Sequence, residues 1–328
     1  LKKITIQTGS LSTLSWLENR IVDWKNAGLT FDMEGNKENL AQYRLAYRFD
    51  AAINSPCGNY AFVYERYGTK GLLLKNGIQL REINRTYYQA NEYEYPATFA
   101  RLEDGRTILI HCPYEYCRLD FEDAETGEIL TNRNSGKSED IFRSRLEVSP
   151  DGRFLLEKSW VWHPWDIVKI HDIEACLANP DLLEQGKEPK GNTSEICSAS
   201  FINSRVALLA STTEEPFDDE NSSSVPPGTL SVWDFVENKI LHHVKVDVPF
   251  GNVFAVNEIY CWDLYEYPKI IDLRTGEVTQ AFVEMRTGKR RSAIRNQKET
   301  EVLWAFNSFS KTIAIYGEEN VVMLIPEL

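Results

Sequence analysis

The stretch Leu146–Ile173, LEVSPDGRFLLEKSWVWHPWDIVKIHDI, holds a complete structural cycle in 28 residues. An apolar run leads into Ser149-Pro150-Asp151-Gly152, a turn tetrad, and a second apolar run follows from Phe154 to Trp162. Then come the aromatic segment Trp162-His163-Pro164-Trp165-Asp166 and a third run ending at Asp172. Short runs of β-branched and aromatic residues bounded by Gly, Pro and Asp predict antiparallel strands joined by tight turns.

The same cycle recurs on both sides. Gly58 in Ser55-Pro56-Cys57-Gly58-Asn59, Gly105 in Glu103-Asp104-Gly105 and Gly152 stand at equal intervals, since 105 − 58 and 152 − 105 are both 47. A constant period of this size marks a repeat architecture in which each unit is one small sheet. A second marker closes each third strand, where an Asp can accept from the backbone of the next turn and a Gly can take a positive φ. It reads Asp123-Ala-Glu-Thr126-Gly127 and Asp272-Leu-Arg-Thr275-Gly276, with weaker copies at Asp32, Asp172 and Asp234, and Asn76-Gly77 in the second unit. The gap from Asp172 to Asp234 widens to 234 − 172 = 62 because of a polar, acidic insert from Ser211 to Gly228, read as a long mobile loop.

Laid end to end, the units predict seven four-stranded blades, near 10–44, 45–90, 91–139, 140–191, 192–248, 249–287 and from 288 onward. The last has three strands to its C-terminus, while Lys3-Ile4-Thr5-Ile6-Gln7 is left over at the N-terminus. Pairing the two would cover both open sheet edges. With that closure the chain resembles the WD-repeat type of seven-bladed β-propeller. The resemblance is architectural: Thr229-Leu-Ser-Val-Trp233-Asp234 ends a third strand with the Trp-Asp pair of that family, whereas Trp165-Asp166 and Trp262-Asp263 are placed near the ends of second strands. It implies an all-β fold in a single domain spanning residues 1–328.

Composition narrows the function. Hydrophobic residues make up 42% and aromatics 12%, enough for a sizeable core. No apolar run is long enough for a membrane span, and Leu1-Lys2-Lys3-Ile4 lacks a signal-peptide core, although a removed leader stays open. Six scattered cysteines in a chain that can build a core without them read as reduced thiols, hence a cytoplasmic protein. The net charge of −13 argues against general nucleic-acid or anionic-lipid binding and fits a basic or neutral partner.

The loops between second and third strands concentrate aromatics and carboxylates. They contain Tyr64, Arg66 and Tyr67; Tyr114, Glu115 and Tyr116; Trp162, His163, Trp165 and Asp166; and Tyr265, Glu266 and Tyr267, and one inter-blade connection adds Tyr93 and Tyr95. Tyrosine and tryptophan offer large contact area with few rotatable bonds, and carboxylates select Lys or Arg, so these positions are the candidate partner-binding residues. The competing reading has the same rings packing against neighbouring blades.

Glu214, Glu215, Asp218, Asp219 and Glu220 make the insert acidic, and Arg286, Lys289, Arg290, Arg291, Arg295 and Lys298 make the segment before the last blade basic; mutual contact, anion binding and plain solvation are all open. The stretch from Glu174 to Glu184 reads as a helical or turn-like decoration.

Dedicated chemistry is sparse. His111, Cys112 and Cys117 lack a second ligand pair at zinc spacing, and neither a Gly-x-Ser-x-Gly elbow nor a Gly-x4-Gly-Lys phosphate loop is present. No cofactor is implied. The sequence therefore points to a non-enzymatic module binding a protein or peptide, with a scaffold or an inhibitor or immunity role against a basic toxin as special cases. A propeller hydrolase or lactonase with a channel-mouth, metal-assisted site is the alternative.

Overall fold

The computed structural model describes residues 1–133, 138–162, 164–214, 216, 223–295 and 302–327. Contacts divide the chain into two compact units, Leu1–Leu130 with Glu301–Glu327, and Thr131–Thr300.

The first unit carries four antiparallel blades. The first blade consists of Ser15–Leu17, Arg20–Asp23, Leu29–Phe31 and Lys37–Asn39; the second of Ala51–Asn54, Tyr60–Tyr64, Lys70–Lys75 and Ile78–Asn84. The third has Ala97–Arg101, Thr107–His111 and Asp120–Asp123, with the fourth position reduced to a bridge between Glu122 and Ile129. The seventh joins Trp304–Phe306, Ile313–Gly317 and Asn320–Ile325 to the N-terminal strand Lys2–Gln7. That strand pairs in register from Lys2 opposite Ile325 to Gln7 opposite Asn320, so both chain ends share one sheet.

The second unit carries three blades. In the fourth blade the inner strand is split into Ile141–Phe142 and Glu147–Val148, both paired with Phe154–Val161, which pairs onward with Trp165–Asp172. The break falls at Arg145, whose φ of 46° is left-handed. Its guanidinium donates to the carbonyl of Cys197 (2.9 Å) and to Asn252 Oδ1 (3.1 Å), contacts that hold the kink open. The fifth blade comprises Ile196–Phe201, Val206–Ser211, Thr229–Asp234 and Lys239–Lys245, and the sixth Val253–Ala255, Tyr260–Asp263, Lys269–Asp272 and Val278–Ala281. Among the described residues the seven sheets make the all-β architecture a seven-bladed β-propeller.

Burial follows each strand's place in its blade. Tyr60–Tyr64 and Thr229–Asp234 are buried at every residue, whereas the outer strand Lys239–Lys245 is mostly exposed. Apolar residues on facing blades merge into shared cores, such as Phe62, Leu73, Phe99 and Leu109 in the first unit and Leu208, Leu230, Val253 and Ile271 in the second. Neither set could be dry in an isolated sheet, which is why the repeats stand or fall together.

Both turn markers do what their chemistry suggests. The N–H groups of Gly58, Gly105 and Gly152 donate to Ser55, Leu102 and Ser149 carbonyls at 2.9, 2.9 and 2.8 Å. After the third strands, Asp123 Oδ1 accepts from the Thr126 N–H (2.8 Å) and Asp234 Oδ1 from the Glu237 N–H (2.9 Å). Asp172 differs in outcome, because its carboxylate caps the helix Ile173–Ala178 instead of a hairpin. The 3-10 turn Pro180–Glu184 follows it, so the segment expected to be helical or turn-like is both.

Trp233 is fully buried and donates from its indole nitrogen to Asn238 Oδ1 (2.9 Å), which locks the hairpin after the fifth blade's Trp-Asp pair. Trp262-Asp263 ends a second strand as expected. Trp165-Asp166 instead opens a third strand, Trp165–Asp172.

Two glycines separate backbone strain from steric exclusion. Gly276 has φ of 75°, and a Cβ there would lie 2.0 Å from the Lys245 carbonyl oxygen; Gly105 has φ of 89° with nothing within 4 Å. Gly105→Ala is expected to cost about 1–2 kcal/mol, the handedness penalty alone. Gly276→Ala should cost at least twice as much in urea unfolding, and equal losses would contradict the close approach.

Candidate functional site

In a four-stranded antiparallel blade the loop between strands two and three and the segment leading to the next blade leave from the same end, because direction reverses at each strand. In the first unit that end is rich in tyrosine. Tyr43 and Tyr47 lie on the connection into the second blade, Tyr87 and Tyr88 on the connection into the third, and Tyr114 on the third blade's loop, all exposed. Tyr87 is 85% exposed and Tyr114 56%. Tyr88 and Tyr116 pack with ring centroids 4.7 Å apart, and the Arg118 guanidinium lies 5.3 Å from the Tyr114 ring.

Arg85 decides which tyrosines reach the surface. It is 4% exposed and donates to the carbonyls of Gly68 (2.7 Å), Ala90 (2.6 Å), Tyr93 (2.8 Å) and Glu94 (3.1 Å). Its guanidinium also faces the rings of Tyr93 at 4.3 Å and Tyr95 at 5.0 Å. Burial lowers the pKa of Arg85 and raises that of Tyr93 to about 12. The connection therefore wraps around a buried cation, drawing Tyr93 and Tyr95 inward and leaving Tyr87 and Tyr88 outside.

The expected partner-binding residues divide accordingly. Tyr93 and Tyr95 are core residues, as is Tyr64, which stacks on Phe62 at 5.3 Å; their rings pack between strands and are not available to a partner. Arg66 and Tyr67 are half-buried, and the Arg66 N–H donates to Asp50 Oδ1 (2.7 Å). Glu115 is exposed and Tyr116 half-buried beside Tyr114. Tyr43, Tyr47, Tyr87 and Tyr88, absent from the expected set, are exposed as Tyr114 is. No local pattern marks them; for Tyr87 and Tyr88 the division from Tyr93 and Tyr95 follows the contacts of Arg85.

In the second unit Trp162 is 57% exposed and meets the Trp160 ring edge-on at 5.6 Å. His163 lies outside the described residues. Trp165 is half-buried. Tyr265, Glu266 and Tyr267 are half-buried too, each with a cation of its own chain: Arg291 over Tyr265 at 4.6 Å, Lys289 with Glu266 at 3.1 Å and Lys269 over Tyr267 at 4.5 Å. Lys269 is buried, bonded to Asp263 Oδ2 (2.7 Å) and the Tyr265 carbonyl (2.7 Å), so the 264–268 loop is pinned from within.

Asp166 is 4% exposed and lies in the wall of a cavity of about 340 Å³. Its N–H donates to Glu195 Oε1 (3.0 Å), and its Oδ1 accepts from the Ala293 N–H (3.1 Å). Burial pushes its carboxyl up to about 7, reinforced by the Glu195 charge and opposed by the Ser292 hydroxyl and Arg145. Thr212 Oγ1 donates to Glu195 Oε2 (2.9 Å). Glu214, Arg291 and Arg295 line the same cavity, so the acidic insert and the basic segment do converge at these residues. Glu215, Asp218, Asp219, Glu220 and Lys298 fall outside the described residues.

No protein-family model matches this chain, and no curated protein does either. Among the described residues no three His, Cys, Asp or Glu side chains are grouped to hold a metal ion, and His111 is spent on Glu122 at 2.8 Å in a buried pair that Arg81 completes. All six cysteines are free thiols, and among the described residues no helix is long and apolar enough to cross a membrane.

Proposed function

We propose that the chain is a binding module for a protein or peptide segment, and that the tyrosine-bearing end of the first unit is its docking surface. The observation that supports this reading is the exposure of Tyr43, Tyr47, Tyr87, Tyr88 and Tyr114 on segments leaving one end of neighbouring blades. Tyrosine rings left facing water bury little area in the fold; covered by a partner, they supply the apolar area and polar edges of a hot spot. With a net charge of −13, the preferred partner is one rich in Lys or Arg, whose association weakens as salt rises.

The test is capture by Tyr87→Ala/Tyr88→Ala/Tyr114→Ala beside the wild-type chain. Exposed substitutions of this kind change stability by within about 0.5 kcal/mol each. Loss of two or three anchoring rings should weaken partner binding at least about tenfold. Equal binding by the two proteins, at matched thermal stability, would place the interface elsewhere.

A further inference from the structure

The second unit's cavity is lined by charges of both signs. Arg291 stacks on Tyr265, and its Nε is buried without a hydrogen-bond acceptor among the described residues. Nε is one of the five donors of the guanidinium, and a buried donor without an acceptor is costly, so this side of the half-buried Arg291 suits an anion. The neighbouring carboxylates do not hydrogen-bond this nitrogen; Glu195 is fixed in place by the Asp166 N–H and the Thr212 hydroxyl, and Asp166 by the Ala293 N–H, which leaves Glu195 lone pairs for a further donor.

The lining also constrains which anion can enter. Glu195 and Glu214 stand beside Arg291 and Arg295, with the buried Asp166 carboxyl next to Glu195. A dianion such as phosphate would meet repulsion from the acidic side, whereas a ligand bringing its own cation would be matched on both. Trp160 and Ile294 add apolar wall, and about 340 Å³ lies at the small end of the ligand-pocket range, about 300–1,000 Å³.

We propose that this cavity binds a small zwitterion of the amino-acid class, its carboxylate on Arg291 and its ammonium group toward Glu195 and Glu214. The site is independent of the tyrosine surface in the first unit, and either can fail without the other.

Calorimetric titration of the full chain with the common L-amino acids tests it, each positive being repeated with its N-acetyl derivative, which keeps only the carboxylate, and its amide, which keeps only the ammonium. At least one amino acid should bind saturably, with both derivatives weakened about tenfold or more. Arg291→Ala should lose binding, and Glu214→Gln, an exposed and structurally mild change, should weaken it several-fold. Should Arg291→Ala fail to fold, the derivatives and Glu214→Gln still decide. The proposal is overturned if no amino acid binds, if inorganic phosphate or the N-acetyl derivative binds as well as the parent, or if both variants bind like the wild type.

Discussion

Glu157→Ala is expected to destabilise the protein by about 3–5 kcal/mol, the usual loss when one member of a buried ion pair is removed. Glu157 and Arg143 are each fully buried in the fourth blade, with Arg143 Nη1 donating to Glu157 Oε1. Arg143 Nη2 reaches Glu184 Oε2 at 3.0 Å, and Arg133 holds the other oxygen of Glu184. The network thus ties the 3-10 turn Pro180–Glu184 to the blade, and removing Glu157 takes the acceptor of Arg143 Nη1 out of a dry interior and leaves the guanidinium with Glu184 as its carboxylate partner. Burial alone would push the Glu157 carboxyl up; the Arg143 charge, with His171 and Lys169, overcomes it and holds the group at about 2. A carboxyl depressed in the folded state stabilises fully above its unfolded value, near 4.5, and that contribution drains away as pH falls through about 2. Urea unfolding at pH 7 and pH 3 should therefore show wild type losing stability over this interval and Glu157→Gln losing distinctly less. A cost below about 1 kcal/mol at pH 7, or parallel pH curves, would sink the assignment.

What sequence revealed and what it hid follow from how local each interaction is. Gly58, Gly105 and Gly152 act within their own turns, and Asp123 and Asp234 bond residues two or three positions onward, so a period could be read from residue types alone. Asp172 shows the limit of that logic: a carboxylate that accepts an N–H from three residues on serves a helix cap as well as a hairpin, and only the following residues decide. The kink at Arg145 left no trace, because a positive φ on arginine has no compositional signature and is held by Cys197 and Asn252 in later blades. Exposure of the tyrosines was equally illegible. Tyr87 and Tyr93 are six positions apart on one connection, yet one is 85% exposed and the other fully buried, separated by the inward pull of Arg85. The cavity draws Asp166, Glu195 and Arg291 from distant segments, and proximity of that kind is a property of the folded unit.

Removing residues 1–7 is expected to have the other large effect, and to change behaviour as well as stability. The strand Lys2–Gln7 covers Asn320–Ile325 along its whole length, and Ile6 is buried in a cluster with Leu11, Ile21, Phe31, Ala314, Val321 and Met323. Fully burying an isoleucine contributes about 1.5–3 kcal/mol, so Ile6 and the half-buried Ile4 together account for about 3 kcal/mol before any ladder hydrogen bond is counted. The second consequence concerns the edge. Lys2 and Lys3 are exposed charges on the outermost strand of the seventh blade, a common guard against strand addition by another copy. Without that strand, Asn320–Ile325 becomes an apolar edge with no such guard. The shortened chain should unfold at a lower urea concentration and associate as its own concentration rises, seen by light scattering. A synthetic peptide of residues 1–8 added in trans should reverse both effects, whereas the same peptide with Ile6→Asp should not, because a carboxylate would enter a dry cluster. An unchanged unfolding midpoint in a monomeric shortened chain would mean that the seventh blade holds with three strands and that the N-terminal segment only decorates it.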